Sequence, residues 1–310
     1  MKGLIVNSGK CFELKDNLTR PVPVQDQVLV KVESASLNPF DTESAEGRFD
    51  TYFAQYEVDK EVQSGLEFSG IVESDGQIFK RGDKVFGYVN MITGWKSHAE
   101  YIAINESQMA LMPSNLSFSQ AAAIPLGSLT TLVALQDLGH LNAGMKLLII
   151  GAASGLGIQG IQGIQIAKLL GADVTAIAGS SQTDFLQSYG ADIVYDYNQV
   201  SINDISDTFD VILDLTNKQK LEDMKKILTP NGTFIPAEPN QENGGDSEDP
   251  QVGYLMVMEG DFEKLTHIAS WVSEGKLKAV IDKEFHFSDY LQALSRLQDK
   301  GRRGRIILNW

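Results

Sequence analysis

The segment LLIIGAASGLGIQG, residues 147–160, constrains the fold more than any other part of the chain. Its first four residues, Leu147–Ile150, form a continuous apolar run, which is typical of a strand that is buried on both faces. A turn of small residues follows, and an uncharged helical stretch then extends from about Gly155 to Leu170. This order predicts the first βα unit of a parallel sheet that is covered by helices.

The same alternation of strands and helices continues after residue 170. Because parallel neighbours need long crossover connections, the alternation predicts an α/β fold with a doubly wound parallel sheet. The predicted strands are Asp173–Ala178, Asp192–Tyr195, Val211–Asp214 and Gly232–Pro236, and the predicted helices between them are Thr183–Tyr189 and Lys218–Leu228.

The small-residue turn suits a dinucleotide. A pyrophosphate approaches the backbone only where side chains are small, and the free N–H groups at a helix N-terminus then face its charge. Gly151 suits the tight turn, Gly155 the close approach and Gly157 the packing of helix on strand, with Ser154 and Leu156 between them. The spacing departs from GxGxxG, so a purely structural turn in another doubly wound sheet is the alternative. The second βα unit that follows favours dinucleotide binding.

The stretch Leu147–Ala167 carries no charge and is about long enough to span a membrane. It contains five glycines and three glutamines, however, and its first residues suit a strand. We therefore interpret it as the strand, turn and helix of a folded domain.

The N-terminal sequence MKGLIVNSGKCFELKD does not resemble a signal peptide, because charges interrupt it within a few residues.

Charge and cysteine content exclude several classes of partner. The 310 residues include 41 acidic side chains against 26 lysines and arginines, which gives a net charge of −15. Nucleic acid and anionic lipid both need clustered cations, so neither is an expected partner. One cysteine, Cys11, and four histidines make a thin supply of zinc ligands. A cytoplasmic location fits the single cysteine best.

The rest of the chain has a different pattern. Short apolar or alternating runs predict a β-rich domain over roughly the first 110 residues, and Ser117 and Ser119 are candidate caps for an uncharged helical stretch. The polar segment Glu238–Pro250, with five acids and no base, predicts an exposed, mobile loop, and Val252–Val257 resembles a buried strand. The last predicted elements are helices at 262–274 and 288–300 and strands at 279–285 and 305–308.

Five stretches, in the right order, resemble the medium-chain dehydrogenase/reductase superfamily, specifically its zinc-free quinone oxidoreductase branch. They are SASLNPFDTESAEG (34–47), GLEFSGIVESDGQIFKRGDKVFGY (65–88), the segment at 117–157 that ends in LLIIGAASGLG, FLQSYGADIVYDY (185–197) and GRRGRIIL (301–308). The resemblance implies a GroES-like β-barrel catalytic domain, residues 1–118 and 258–310, with a Rossmann domain inserted at 119–257. It also implies a homodimer that transfers hydride from a nicotinamide, usually NADPH, to a quinone or an α,β-unsaturated carbonyl compound (an enone).

The sequence departs from the zinc-dependent members of this superfamily. Those relatives present a cysteine and a Gly-His-Glu unit as catalytic ligands, and four closely spaced cysteines in a separate lobe. Here the matching unit is Gly65-Leu66-Glu67, without a histidine. The resemblance therefore implies a site without metal.

The resemblance also places polar substrate-cleft residues in SLNPFDT. Asn38 then donates to a substrate carbonyl and Asp41 orients it, although Asn-Pro followed by Asp is also an ordinary turn. Tyr52 or Tyr56 lies where relatives line the substrate pocket, and a phenol there hydrogen-bonds the carbonyl or supplies a proton. Packing is the commoner fate of a tyrosine, so that alternative stays open.

Further cofactor contacts follow from the resemblance. Thr130 matches a threonine near the nicotinamide carboxamide, since a hydroxyl both donates and accepts; bonding to its own helix backbone is the alternative. Tyr197 matches an aromatic residue beside the adenosine half. Tyr254, Leu255 and Met256 match the strand that backs the nicotinamide, although an apolar strand is usually only core.

The end of the second Rossmann strand predicts the coenzyme. NAD-specific domains usually carry Asp or Glu there, bonded to the ribose hydroxyls. Here Gly179, Ser180 and Ser181 follow the strand, so we expect no carboxylate to repel a 2′-phosphate, and hydroxyls and helix N–H groups to bind it. Helix capping alone also explains the serines. The expected cofactor is NADP, preferred by less than in relatives that carry a lysine just beyond, with Arg302 or Arg303 as possible substitutes for that lysine.

A nucleotide-binding protein without turnover is the alternative from another functional class, because fold does not fix function. Hydrolase chemistry has no support, because no histidine pairs with a serine or cysteine in a recognisable nucleophile motif.

Overall fold

The computed structural model describes residues 1–6, 11–51, 64–153, 157–299 and 301–310. It divides into two units, one formed by Met1–Leu126 with Met258–Trp310 and the other by Gly127–Val257. The first boundary lies after Leu126 rather than after residue 118, because the helix Phe118–Ala122 packs on strands of the first unit.

The described elements are named here in chain order. The strands are β1 Gly3–Val6, β2 Phe12–Lys15, β3 Gln27–Leu37, β4 Glu67–Val72, β5 Lys84–Tyr88, β6 Tyr101–Asn105, β7 Met109–Leu111, β8 Lys146–Ile150, β9 Asp173–Ala178, β10 Ile193–Asp196, β11 Phe209–Asp214, β12 Leu228–Pro236, β13 Ile281–His286 and β14 Arg305–Asn309. The helices are α1 Pro39–Glu46, α2 Phe118–Ala122, α3 Pro125–Leu132, α4 Gly157–Leu169, α5 Thr183–Ser188, α6 Leu221–Met224, α7 Phe262–Ser273 and α8 Tyr290–Gln298.

The long strand β3 organises the first unit. One of its edges pairs with β4 over Val30–Ala35, and the other pairs first with β6 over Gln27–Lys31 and then with β14 over Ser34–Leu37. The sheet order is β13-β14-β3-β4-β5-β7, antiparallel except for the parallel pair β13–β14. Residues from the end of the chain therefore complete a sheet that the N-terminal residues begin.

A buried ion pair lies inside this sheet. Arg305, the first residue of β14, places Nη2 3.0 Å from Oε2 of Glu67, the first residue of β4. The two side chains are only 7% and 0% exposed. Oε1 of Glu67 also accepts a 2.8 Å hydrogen bond from the backbone N–H of Leu126. One carboxylate thus connects β4, β14 and the start of α3.

The second unit is a parallel sheet in the order β10-β9-β8-β11-β12. The chain moves outward from β8 to β10 and then returns to the other side of β8 to add β11 and β12. This reversal defines a doubly wound Rossmann sheet, and it confirms the predicted fold class. Leu147–Ile150 is buried within β8, and the uncharged stretch after it continues into the turn and α4.

Two predicted elements of this unit are wrong. Val252–Val257 is not a strand: a single bridge joins Val252 to Phe234, and Tyr254 and Met256 are 51% and 57% exposed. The helix predicted over Lys218–Leu228 is reduced to α6, because Asn217 adopts a left-handed conformation before it and β12 already begins at Leu228.

The acidic segment Glu238–Pro250 has neither helix nor strand, but it is not a detached loop. Asn243 is 3% exposed, its side chain donates to the carbonyl of Glu238, and its own carbonyl accepts from the N–H of Leu221. Asp249 pairs with Lys225 at 2.5 Å. Most of the segment is exposed, as predicted, but asparagine side chains and an ion pair fold it onto the unit, so that Asn243 and Gly245 are buried; its mobility stays a prediction.

The apolar stretch before β8 begins at the predicted cap. Ser117 Oγ accepts from the N–H of Gln120 at 3.2 Å, and Gln120 Oε1 accepts from the N–H of Ser117 at 3.0 Å. Among the described residues, Phe118–Leu138 is the one helical stretch long and apolar enough to cross a membrane by length and composition, and 78% of its most apolar window is buried within the protein.

Gly160 lies where helix α4 approaches the turn after β8. A Cβ atom at this position would lie 2.6 Å from the Cα atom of Ala152 and would also contact its carbonyl oxygen. Gly163, one turn later, has only side-chain neighbours, with its Cβ position 3.2 Å from Thr131 Cγ2. Gly160 is therefore a close-packing position that sequence analysis did not single out, and the packing role assigned to Gly157 stays a prediction.

Gly160→Ala is expected to lower the free energy of unfolding by about 1–3 kcal/mol, because backbone atoms must move to admit the methyl group. Gly163→Ala is the matched control in the same helix, with the same gain in helix propensity and a side-chain neighbour that can shift. Urea denaturation of both variants measures the difference. Equal stability of the two variants would show that Gly160 is not a packing constraint.

Arg305→Met is expected to lower the free energy of unfolding by about 3–5 kcal/mol, because it leaves the Glu67 carboxylate buried without its partner. Lys146→Met is the control, since Lys146 and Asp207 form an ion pair whose side chains are 50% and 45% exposed, and its loss should cost about 0–1 kcal/mol. Adding Glu67→Gln to Arg305→Met should recover part of the loss. A cost below about 1 kcal/mol for the single change would contradict this account.

Candidate functional site

In the first unit, Asp41 connects helix α1 to the segment before β4. Its Oδ2 accepts from the N–H of Asn38 at 2.7 Å and its Oδ1 from the N–H of Gly65 at 2.6 Å. The side chain is 0% exposed, and this burial raises the pKa of Asp41, against the opposing charge of His98 and the two backbone donors. Asp41 is thus the third residue of α1 and closes a capping box on Asn38, instead of the Asx-turn weighed in the sequence; its role in orienting a substrate contact stays a prediction.

Asn38 lies beside the buried ion pair. Its Nδ2 donates to Ser36 Oγ at 3.1 Å and to Glu67 Oε2 at 3.2 Å, and its Oδ1 accepts from Nη1 of Arg305. Both polar ends of this amide are therefore occupied, and the side chain is 2% exposed. The predicted donation from Asn38 to a substrate carbonyl requires one of these bonds to break. The arrangement therefore favours a role for Asn38 in holding Glu67 and Arg305 in position.

His98, for which the sequence suggested no role, joins the same network. Its Nε2 lies 3.0 Å from the carbonyl oxygen of Ser36, and its Nδ1 lies 3.0 Å from Ser64 Oγ. A carbonyl only accepts, so Nε2 carries a proton and donates to Ser36, and Nδ1 shares a second hydrogen bond with the Ser64 hydroxyl. No local signal could have indicated this, because both partners are distant in sequence.

Lys96 is a second buried group that the sequence did not indicate. Its ammonium donates to the carbonyl oxygens of Thr93 at 2.9 Å and Gly94 at 3.3 Å. Burial lowers the pKa of Lys96 from 10.5 to about 7. This lysine is therefore only partly charged near neutral pH.

The candidate catalytic residue Tyr52, and Tyr56 with it, lies outside the described residues.

In the second unit, the reversal of strand order between β8 and β11 marks the edge where ligands bind in doubly wound sheets. Gly151, directly after β8, has φ +77°, which confirms the tight turn. Asp214, the last residue of β11, is buried and accepts from the N–H and hydroxyl of Thr216 at 2.8 and 2.6 Å. Of the other predicted turn contacts, Gly157 begins α4, and Ser154, Gly155 and Leu156 lie outside the described residues.

Two hydroxyl groups of α3 are buried without a hydrogen-bond partner among the described residues. They belong to Thr130, which is 9% exposed, and to Ser128, which is 0% exposed. The alternative for Thr130, a bond back to its own helix, is not formed, whereas the neighbouring Thr131 hydroxyl does donate to the carbonyl of Gly127. A buried hydroxyl without a partner fits a site that an amide-bearing ligand completes.

The predicted adenosine contacts lie together at the ends of β9 and β10. The N–H of Tyr197 donates to the carbonyl of Ala178 at 3.2 Å, and the phenol oxygen lies 3.3 Å from the Cβ position of Gly179. The tyrosine is 63% exposed, so its ring is accessible. Ser180 and Ser181 form the turn that follows β9.

As predicted, the end of β9 itself carries no carboxylate, because Gly179, Ser180 and Ser181 follow it. Asp196, the last residue of β10, accepts hydrogen bonds from both the hydroxyl and the N–H of Ser180. The carboxylate comes from the neighbouring strand rather than from the end of β9. Among the residues predicted to back the nicotinamide, Leu255 is buried at 4% exposure, whereas Tyr254 and Met256 are exposed.

Comparisons with known proteins identify the family. Residues 24–138 match the alcohol dehydrogenase GroES-like domain, and residues 189–308 match the zinc-binding dehydrogenase domain. The chain is 31% identical to 2-methylene-furan-3-one reductase of Solanum lycopersicum and 30% identical to the chloroplastic NADPH-dependent alkenal/one oxidoreductase of Arabidopsis thaliana, with 96% of this chain and 75% of each relative covered. The quinone oxidoreductase structure from Coxiella burnetii superposes with a TM-score of 0.85 at 26% identity, over 100% of this chain and 99% of that one. This chain therefore belongs to the medium-chain dehydrogenase/reductase superfamily, among its quinone and enone reductases.

Proposed function

We propose that this protein is an NADPH-dependent reductase that transfers hydride to a quinone or an α,β-unsaturated carbonyl compound. The observation that carries the proposal is the buried hydroxyl of Thr130, which has no hydrogen-bond partner among the described residues, in a unit whose sheet order marks a dinucleotide site. The names of the two plant relatives support the same reaction class.

The residues of the second unit would divide the cofactor between them. Gly151 and the start of α4 would hold the pyrophosphate, because a small-residue turn exposes backbone N–H groups. Thr130 would orient the carboxamide, and Gly179 with Tyr197 would contact the adenosine. When bound, the nicotinamide supplies the hydride; the chain itself contributes position and donors to the oxygen where charge develops. Tyr52 or water as the source of the proton stays a prediction.

Purified protein is expected to oxidise NADPH in the presence of some members of a panel of quinones and enones, measured by the loss of NADPH absorbance. Thr130→Val should raise the KM for NADPH about two- to tenfold, the worth of one hydrogen bond. Thr131→Val is the matched control, because that hydroxyl already bonds to its own helix. Tight NADPH binding without oxidation across the panel would instead favour a nucleotide-binding protein without turnover.

We also propose that the activity needs no zinc. The described residues contain no group of three or more His, Cys, Asp or Glu side chains placed to hold a metal ion. At the Gly65-Leu66-Glu67 unit, where zinc-dependent relatives carry ligands, the Glu67 carboxylate is occupied by Arg305, Ser36 and Asn38. These residues do not fit a zinc site, although one matching domain family is described as zinc-binding.

Prolonged chelation is therefore expected to leave turnover unchanged, and metal analysis should find far less than one zinc per chain. A zinc-dependent member of the superfamily, treated in parallel, shows that the chelator removes bound metal. Stoichiometric zinc together with loss of turnover on its removal would overturn this proposal. A cytoplasmic location, a homodimeric state and the absence of membrane binding stay predictions.

A further inference from the structure

The loop between β5 and β6 buries a lysine that the proposed reaction does not use. Lys96 is 0% exposed, and its Nζ donates to the carbonyl oxygens of Thr93 at 2.9 Å and Gly94 at 3.3 Å. Among the described residues, these two oxygens are its hydrogen-bond acceptors. A neutral amine has two N–H groups, whereas an ammonium has three donors. The site therefore matches the neutral amine and leaves the third proton of the ammonium without an acceptor.

The charged groups around this loop do not compensate a buried ammonium. The titratable side chains on the segments packed around it are Tyr88, Glu67, His98 and Glu259. Both carboxylates already have partners, since Arg305 pairs with Glu67 and the Asn90 amide donates to Glu259 at 2.8 Å. None of the four offsets the burial that lowers the pKa of Lys96 from 10.5 to about 7.

Lys96 also holds the part of the loop that covers it, residues 93–95, which we call the loop tip. The segments on either side are anchored elsewhere: Met91 N–H donates to the carbonyl of Met258 at 2.7 Å, and Ser97 N–H to that of Gly65 at 2.9 Å. Gly94 is exposed, and nothing lies within 4 Å of its Cβ position. Among the described residues, only Lys96 binds the carbonyls of Thr93 and Gly94, so the loop tip loses both contacts when this amine leaves.

We propose that the loop tip is an acid-sensitive lid: it closes over Lys96 as a neutral amine, and it opens when that amine takes up a proton and turns to water. In the open form Lys96 is solvated, so its pKa returns to about 10.5, against about 7 in the closed form. Opening therefore binds a proton between these two values, and lower pH favours it. Its equilibrium constant should rise about tenfold for each pH unit down to about pH 7, and little below that, because the closed form is then protonated too. This response does not depend on the proposed reaction.

The protonation of Lys96 can be measured directly in the unmutated protein. With 13C-labelled lysine, the NMR shift of each Cε reports the charge on its Nζ, and the Lys96 signal is the one that Lys96→Met lacks. It is expected to titrate with a midpoint near 7. A midpoint near 10.5 would show that the amine is not held neutral, and would overturn the proposal.

Amide hydrogen exchange measures the opening itself. The N–H of Thr93 donates to Oδ1 of Asn90 at 2.8 Å, and it becomes free to exchange when the loop tip lifts. After correction for the intrinsic effect of pH on exchange, its protection should fall about fiftyfold from pH 9 to pH 7 and only about twofold from pH 7 to pH 5.

Two variants assign this response to Lys96. Lys96→Met removes the titrating group, so the protection of the Thr93 amide should change less than about twofold between pH 9 and pH 7. Lys276→Met is the matched control, because Lys276 is 55% exposed and pairs with Glu274 at the surface; it should keep the full response.

Lys96→Gln covers the case in which Lys96→Met does not fold. Its amide offers two N–H groups to the same carbonyls and does not titrate, so the loop tip should stay closed at every pH. Equal protection of Thr93 at pH 9 and pH 7 in the unmutated protein, or an undiminished pH response in Lys96→Gln or Lys96→Met, would overturn the proposal.

Discussion

The first unit depends on the compensation of one buried charge. The Glu67 carboxylate is 0% exposed, and it is satisfied by Ser36, Asn38, Arg305 and the N–H of Leu126. A buried carboxylate without such partners would be strongly destabilising, so the stability of the first unit depends on these contacts. Because Arg305 comes from the end of the chain, the C-terminal residues must return to the sheet begun by β3. The second unit is inserted between the two segments of the first unit, so both segments can still contribute strands to this sheet.

The parallel sheet was the part of the fold most accessible to sequence analysis. Strands buried on both faces give continuous apolar runs, and β9 was predicted over the same residues that the structure shows, Asp173–Ala178. The same rule failed at Val252–Val257, where an apolar run makes one bridge and leaves alternate side chains exposed. Composition correctly predicted that most of Glu238–Pro250 is exposed, but it did not predict that the side chains of Asn240 and Asn243 satisfy backbone groups within the segment.

In the candidate site, features that depend on neighbouring residues could be predicted from the sequence, whereas contacts between residues distant in the chain could not. The turn at Gly151 and the cap at Ser117 each depend on contiguous residues, and both were found. The close contact of Gly160 with Ala152 was not singled out, because the run GIQGIQGIQ, residues 157–165, offers three equivalent glycines; the packing role predicted for Gly157 stays untested. The partners of His98 and Arg305 could not be predicted, because strand pairing brings them together across the chain.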